Sequence, residues 1–231
     1  MAISEFEIKR IEKYGIKMRI YAVADIHGKS KQIVKIKEII SLKKPDILVI
    51  AGDITNYISP RKTFELLKDI TIPIFYIRGN SDFKCVEKLS RNLENITLLG
   101  HTPVTYQKTQ FLGLNGTIPL PFLSKICLRE TKCFVPIKHV ITPETILVVH
   151  PPPRGVCDKV GNKFSAGSFG LKRFIEKYSP LMVLCGHIHE QAGYQFFNNT
   201  LVVNSAMNKK FSGAVIDYDN AMPLNVNMIT D

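Results

Sequence analysis

The sequence predicts an α/β fold, and two observations lead to this prediction. In the N-terminal half, short apolar runs of strand length alternate with helical segments in the order β-α-β-α-β-α. Such alternation is typical of a largely parallel sheet covered by helices. After residue 193, strand-like segments follow one another directly, which favours antiparallel pairing. With 231 residues, the chain is long enough to form one domain over residues 1–231.

The N-terminal elements each carry a recognisable signal. Residues 18–25 form an apolar run that predicts a buried strand. Ser30 is predicted to cap an amphipathic helix, because isoleucines recur after it at helical spacing up to Pro45. Residues 1–17 fit an edge strand, a short helix or an N-terminal extension. The other predicted strands span residues 46–53 and 73–80, and the other predicted helices span 61–69 and 82–92.

The C-terminal half predicts more strands and one further helix. Ser168 is expected to cap the helix, which runs to Tyr178. Two segments, 117–141 and 151–167, lack a clean periodicity and are predicted to be loops. The predicted strands span residues 103–107, 110–115, 145–150, 181–186, 193–197, 201–206, 213–218 and 224–229.

Charge and cysteine content indicate the expected partners and cellular compartment of the protein. The formal net charge is +11, which attracts anions such as phosphorylated molecules or nucleic acid, although the lysines are spread along the chain as on an ordinary solvated surface. The N-terminus lacks an apolar signal region and no apolar run has the length of a membrane span, so we expect a cytoplasmic protein. The five cysteines are then expected to be buried thiols, with a Cys127–Cys133 disulfide as the alternative.

Metal-ligand side chains recur where the predicted strands end. Because parallel strands share one carboxyl edge, side chains that follow them are expected to meet there. Carboxylate, imidazole and amide donors together suit borderline divalent metals such as Mn, Fe, Ni, Co or Zn. The recurring residues are Asp25, His27, Asp53, Asn80, His150, His187 and His189.

The spacing of these residues predicts two metal ions and not one. Asp25 and His27 lie two positions apart at a strand end, where both side chains face one side and reach one metal. His187 and His189 have the same spacing, so they can serve two adjacent metals. A carboxylate such as that of Asp53 can bridge the pair, and paired metals of this kind catalyse phosphoryl chemistry.

The motifs DIH, GD, GNSD, a lone histidine and GHIH resemble, in this order, the calcineurin-like metallophosphoesterase superfamily. The stretch from HPPPRG to GHIHE is similar to its small prokaryotic Icc-like phosphoesterases. The resemblance spans residues 18–206 and implies a four-layer α/β/β/α sandwich, with two mixed β-sheets flanked by helices. It implies a first metal held by Asp25, His27 and His189, and a second held by Asn80, His150 and His187. Asp53 would bridge them, which makes Asp53 and Asn80 catalytic as well.

Ser81 is the one departure from the family pattern. The family has a histidine at this position, which assists the leaving group, and a serine hydroxyl is not an acid of comparable strength at neutral pH. Ser81 is nevertheless assigned to the catalytic residues, and His101 is a candidate substitute for the missing imidazole. Arg154, four residues beyond His150, is predicted to bind the substrate phosphate.

The resemblance implies a dinuclear-metal hydrolase that cleaves phosphate esters, most of all phosphodiesters, through a metal-activated hydroxide. Manganese is the first expected metal, with Fe, Ni, Co and Zn as alternatives. A nuclease acting on DNA or RNA is one alternative function, and a non-catalytic metal-binding scaffold of the same fold is another. A phosphate-ester substrate is the expected partner. No membrane partner is expected, and nucleic acid has no supporting motif.

Overall fold

The computed structural model describes residues 18–56, 60–116, 132–161, 163–219 and 222–230. Two six-stranded mixed sheets pack face to face and helices cover their outer surfaces, which confirms the α/β/β/α architecture. The strand order is β14-β13-β1-β2-β3-β4 in the first sheet and β11-β12-β10-β7-β6-β5 in the second, and β8 pairs with β9 in a separate hairpin.

The helices are α1 (Ser30–Lys43), α2 (Pro60–Leu67), α3 (Cys85–Ser90) and α4 (Phe169–Tyr178), and short 3₁₀ helices span Val135–Ile137 and His189–Gln191. The strands are β1 (Met18–Val23), β2 (Ile47–Ala51), β3 (Ile74–Ile77), β4 (Ile96–Leu98), β5 (Val104–Tyr106), β6 (Thr109–Gly113), β7 (Ile146–Val148), β8 (Lys159–Val160), β9 (Phe164–Ser165), β10 (Met182–Cys185), β11 (Gly193–Phe197), β12 (Thr200–Asn204), β13 (Phe211–Asp219) and β14 (Met222–Thr230).

Parallel strands occupy the centre of both sheets. Strands β1, β2 and β3 are parallel neighbours, as the sequence predicts, β4 continues the parallel series beside β3, and β13 and β14 add an antiparallel edge. In the second sheet, β6, β7, β10 and β12 are parallel, and only the outer strands β5 and β11 are antiparallel. The predicted antiparallel pairing after residue 193 is confirmed between β11 and β12 and between β13 and β14, whereas β12 also pairs in parallel with β10 on its other side.

The core explains why the central strands are apolar throughout. One face of each sheet packs against the other sheet, where Phe75 and Phe111 meet edge to face with ring centroids 5.2 Å apart. The outer face of the first sheet packs against α1 and α2, and that of the second sheet packs against α4. A parallel strand that is buried on both faces reads as a continuous apolar run, as β2 does.

Several local predictions need correction. Helix α1 begins at Ser30, but Lys29 occupies the capping position and no side chain accepts a hydrogen bond there, so Ser30 is not the cap. At α4 the prediction is confirmed, since Ser168 Oγ accepts from Leu171 N at 2.9 Å. Strand β4 was not predicted, and the predicted loop 151–167 contains the β8–β9 hairpin. Residues 1–17 and 117–131 lie outside the described residues.

The cysteines are less buried than expected. Cys185 is fully buried, Cys133 and Cys157 are partly buried, and Cys85 is exposed on α3. The alternative pairing of Cys133 involves Cys127, which lies outside the described residues. Within the described ranges, none of the helices combines the length and the apolar character that crossing a bilayer requires.

Candidate metal centre

The two sheets are joined at the carboxyl ends of their central strands. Ala24, just after β1, donates from its backbone N–H to Ser205 O at 3.0 Å, and Met207 N donates back to Ala24 O at 3.0 Å. Ser205 N in turn donates to Cys185 O at the end of β10. Because these bonds bring the end of β1 beside the end of β10, the loops that carry the candidate ligands of both sheets meet at one place.

Asp25, His27 and His189 form the first group of candidate ligands. Asp25 Oδ1 lies 3.1 Å from His189 Nε2 and 3.8 Å from His27 Nε2. Asp25 is buried, and no hydrogen bond of regular geometry reaches its Oδ1 from any residue that the structure describes. A buried carboxylate oxygen without such a partner carries a desolvation cost that a cation would remove.

Asp53, Asn80, His150 and His187 form the second group. His150 Nε2 lies 3.0 Å from Asn80 Oδ1, 3.2 Å from His187 Nδ1 and 3.5 Å from Asp53 Oδ2. Asp53 Oδ2 also lies 3.9 Å from Nδ1 of His27, a member of the first group. The carboxylate of Asp53 is therefore adjacent to both groups, as a bridging ligand must be.

These donors fit a pair of divalent metals. In the first group and in the trio Asp25, Asp53 and His150, the donor atoms all lie within 4.8 Å of one another, as candidate metal ligands do. Oxygen and imidazole nitrogen donors in this mixture suit Mn, Fe, Co, Ni or Zn. The fit therefore rests on the donor chemistry and on the unsatisfied Asp25 oxygen together.

The backbone of the ligand residues is strained. Asp25, His27, Asp53 and His187 have φ values of 61°, 50°, 51° and 72°, in the left-handed region that residues with a Cβ rarely adopt. Each such residue costs on the order of 1–3 kcal/mol, and such residues cluster at functional sites. The prediction that Asp25 and His27 share the face of an extended strand is therefore wrong about the backbone, because tight turns direct both side chains to the same place.

The glycines before Asp53 and Asn80 make room for the ligands. Gly52 has φ +91°, and a Cβ on it would lie 2.6 Å from His150 Nδ1. A Cβ on Gly79 would overlap the carboxylate and the backbone nitrogen of Asp53. The motifs G-D and G-N thus reflect loops that approach each other more closely than any side chain on these positions would permit.

Electrostatic coupling at the centre is strong. Burial alone would raise the pKa of Asp53, but the hydrogen bonding and charge of His150, together with hydrogen bonds from Ser81, hold it well below its usual value. Burial opposes protonation of His150, yet its hydrogen bond to Asp53 and the charges of Asp25 and Asp53 raise its pKa to about 9. Burial, and then the neighbouring charge of His150, lower the pKa of His187 to about 4. A metal ion held by His150 would therefore compete with a proton for this imidazole.

Asp82 holds the two ligand loops of the first sheet together. Its carboxylate accepts from Ile54 N at 3.1 Å, from Thr55 N and Oγ1 at 2.8 Å each, and from Gly79 N at 2.9 Å. These bonds join the loop of Asp53 to the loop of Asn80. The sequence motif GNSD contains this aspartate, but its partners lie too far along the chain for the sequence to indicate its role.

Asn204 plays the corresponding part in the second sheet. It is fully buried at the end of β12, and its Nδ2 donates to Ile188 O at 2.9 Å, between the ligands His187 and His189. The same amide lies 3.3 Å from Cys157 O, in the loop that follows His150. Asn204 therefore fixes the position of the His187–His189 turn relative to its neighbours.

The Ser81 hydroxyl is directed at Asp53. Its Oγ donates to Asp53 Oδ2 at 2.9 Å, and its backbone N–H donates to Asp53 Oδ1 at 2.8 Å. Ser81 is buried, so its hydroxyl orients the candidate bridging carboxylate. This placement differs from that of a group facing a leaving oxygen, and the catalytic role assigned to Ser81 stays a prediction.

We expect Ser81→Ala to lower kcat/KM about tenfold, because a hydrogen bond to a charged group contributes on the order of 1.5–3 kcal/mol. The loss should be equal for aryl esters with good and with poor leaving groups, since the hydroxyl orients Asp53. A series of substituted phenyl esters measures this, with Ser41→Ala on the exposed face of α1 as the matched control. A loss that grows as the leaving group becomes poorer would instead assign proton donation to Ser81.

Arg154 lies in the loop after His150, but its guanidinium is engaged with neighbours. Nη1 donates to Ser165 O at 2.6 Å, and the guanidinium lies 4.4 Å above the ring of Phe169. Its predicted contact with substrate phosphate stays a prediction. His101, the candidate substitute for the missing histidine, is exposed in the turn after β4.

Comparisons with known proteins agree with this geometry. The sequence matches the calcineurin-like phosphoesterase family over residues 18–191. An uncharacterised protein of Methanocaldococcus jannaschii is 25% identical over 205 residues, covering 84% of this chain and 90% of its own. A crystal structure with a TM-score of 0.75 and 17% identity covers 92% of this chain and 98% of its own. A structure described as a novel archaeal phosphodiesterase has a TM-score of 0.56 and 15% identity, over 93% and 100% of the two chains.

The two structures share the fold at low sequence identity. The family match spans most of the chain and includes all seven candidate ligands. The chain belongs to the calcineurin-like phosphoesterase family.

Proposed function

We propose that this protein is a dinuclear-metal phosphoesterase that hydrolyses phosphodiesters. The observation that carries the proposal is the position of Asp53, whose Oδ2 lies within 4.0 Å of an imidazole from each ligand group. All seven candidate ligands gather around this carboxylate from the ends of five strands in two sheets. A protein of the same fold is described as an archaeal phosphodiesterase, which supports the proposal.

The residues divide between two metal positions. Asp25, His27 and His189 would hold the first metal, Asn80, His150 and His187 the second, and Asp53 both. Manganese is the first choice for the native ion, and Fe, Ni, Co and Zn suit the same donors. When bound, such a pair lowers the pKa of water and neutralises charge on a phosphate group.

The burial of the individual ligand residues indicates from which side a substrate could approach the site. The carboxylates of Asp25 and Asp53 and the ring of His150 are almost fully buried, so water does not reach the centre from the side of these residues. His189 is partly exposed and Asn80 is exposed, so the substrate would approach over these two side chains. The net charge of +11 favours the arrival of an anionic ester.

We infer the preference for esters with good leaving groups from Ser81. Its hydroxyl donates to Asp53, and the family's histidine is absent, so the leaving oxygen has less help from a proton donor. Activated aryl diesters such as bis-p-nitrophenyl phosphate need that help least. We therefore propose that they are the best chromogenic substrates.

Chelator-stripped protein tests the function directly. Full hydrolysis of bis-p-nitrophenyl phosphate should return on addition of Mn²⁺, and in part with Ni²⁺ or Co²⁺, while the stripped protein stays inactive. The measurement is p-nitrophenol release for each metal with the diester and with p-nitrophenyl phosphate. Absence of hydrolysis of both esters with every common divalent metal would reject the proposal and favour the scaffold alternative.

A nuclease is the second candidate, and the observation that favours it is the basic net charge. Single-stranded DNA and RNA in the same metal assay decide between the two, since a nuclease would degrade them faster than the aryl diester. A single domain over residues 1–231 and a cytoplasmic location remain part of the proposal.

A further inference from the structure

The β8–β9 hairpin stands beside the metal centre. It leaves the loop that begins at His150, and β8 packs against the 3₁₀ helix that starts with the candidate ligand His189. The buried Asp158 holds the base of the hairpin, because its carboxylate accepts from Gly167 N at 3.0 Å and its carbonyl accepts from Ala166 N at 2.9 Å. The hairpin is therefore held in place next to the candidate ligand His189.

The hairpin and the start of α4 expose apolar side chains. Phe164 is 68% exposed, Phe169 is 41% exposed and Val160 is 38% exposed. Val160 and Phe164 are paired across the two strands, so their side chains lie side by side on the same face of the hairpin. Neighbouring exposed apolar groups of this kind mark ligand or partner sites more often than isolated ones do.

Arg154 lies between the start of α4 and the second strand of the hairpin. Its guanidinium lies 4.4 Å from the ring centroid of Phe169 and donates to Ser165 O, next to Phe164. Lys159 and Lys163 are exposed on the same hairpin. The surface therefore combines flat apolar faces with positive charge, which complements a ligand that is both aromatic and anionic. We name this surface the aromatic shelf, and it consists of Arg154, Val160, Phe164 and Phe169.

We propose that the aromatic shelf binds a flat aromatic ring of the substrate, so that the preferred esters are phosphodiesters of a nucleoside or an aryl alcohol. The inference rests on the proposed function, because it places the phosphate of the same molecule at the metals. Two observations select this occupant: the shelf is continuous with the element that carries His189, and its charge is opposite to that of a phosphodiester. A ring stacked on such a side chain contributes on the order of 1–3 kcal/mol.

Two substrates that share the same leaving group test the shelf. Thymidine 5′-(p-nitrophenyl) phosphate and ethyl p-nitrophenyl phosphate both release p-nitrophenol, and only the first carries a base. Phe164→Ala should raise KM for the thymidine ester about tenfold and leave KM for the ethyl ester within about twofold, with kcat little changed. The matched control is Phe196→Ala, at a phenylalanine that is also exposed, on the edge strand β11, and it should alter neither KM.

Equal effects of Phe164→Ala on both esters, or no effect on either, would overturn the inference. In both outcomes the wild-type protein still hydrolyses the esters, so the proposed function stands. Failure of the wild-type protein to hydrolyse either ester would instead count against the proposed function.

A binding measurement tests the shelf without hydrolysis. The chain contains no tryptophan, so Phe164→Trp introduces a single tryptophan on the shelf, whose fluorescence can be excited selectively. Adenosine monophosphate and phenyl phosphate should quench its fluorescence at concentrations where inorganic phosphate does not, and the two aromatic probes compare a nucleobase with a simple aryl ring. Quenching by none of the three, or equally by all three, would contradict the proposal.

Discussion

Asp53→Asn is expected to lower kcat/KM for bis-p-nitrophenyl phosphate by about a thousand-fold or more, because it removes the charge that both metal positions share. Asparagine keeps the size of the side chain and can still accept from the backbone N–H of Ser81, so the fold should persist. The measurement is a steady-state assay with saturating Mn²⁺, accompanied by circular dichroism to verify folding.

The matched control for this variant is Asp69→Asn. Asp69 is an exposed carboxylate that pairs with Lys37 at 3.0 Å on the surface, so the same chemical change there should leave activity unchanged. Activity of Asp53→Asn within about tenfold of the parent would reject a bridging role for Asp53. In that case the two ligand groups would function without a shared carboxylate.

Asp82→Ala is expected to destabilise the metal-free protein by about 3 kcal/mol or more. Three backbone N–H groups, those of Ile54, Thr55 and Gly79, lose their acceptor in a buried environment, and each unsatisfied group costs about 1–3 kcal/mol. The loops of Asp53 and Asn80 would also lose their connection. We therefore expect metal affinity to fall by about 10–100-fold, as when other groups that orient ligands are removed.

Urea unfolding of the chelated protein measures the stability, and titration with Mn²⁺ measures the affinity. Asp82→Asn retains one carbonyl acceptor, so its stability and its Mn²⁺ affinity should lie between those of the parent and of the alanine variant. Asp69→Ala should match the parent in both quantities. If Asp82→Ala unfolds within about 1 kcal/mol of the parent, then water or another group satisfies these amides, and Asp82 does not hold the loops together.

The candidate ligands could be selected from the sequence because each follows an apolar run that is typical of a buried strand. Asp25, Asp53 and Asn80 end three consecutive strands of a parallel sheet, and parallel strands place their carboxyl ends at one edge. The second sheet contributes His150 and the His187–His189 turn by the same rule. The alternation of apolar runs and helices along the chain was therefore sufficient to select these residues, because it can be recognised without knowing the contacts between distant segments.

The features that the sequence did not predict all depend on such contacts. Asp82 and Asn204 bind backbone groups far along the chain, so no local pattern indicates their roles. The left-handed turns at Asp25 and His187 arise where two loops are forced together, and residue type does not indicate them. The β8–β9 hairpin has only two residues per strand, too few to establish an alternating pattern.

We propose that one chain holds two metal ions, one on either side of Asp53. Anomalous diffraction from crystals of the chelated protein soaked in Mn²⁺ tests it most directly. Two manganese peaks are expected, one among Asp25, His27 and His189 and the other among Asn80, His150 and His187, with the Asp53 carboxylate between them. A single peak, or none at these side chains, would contradict it.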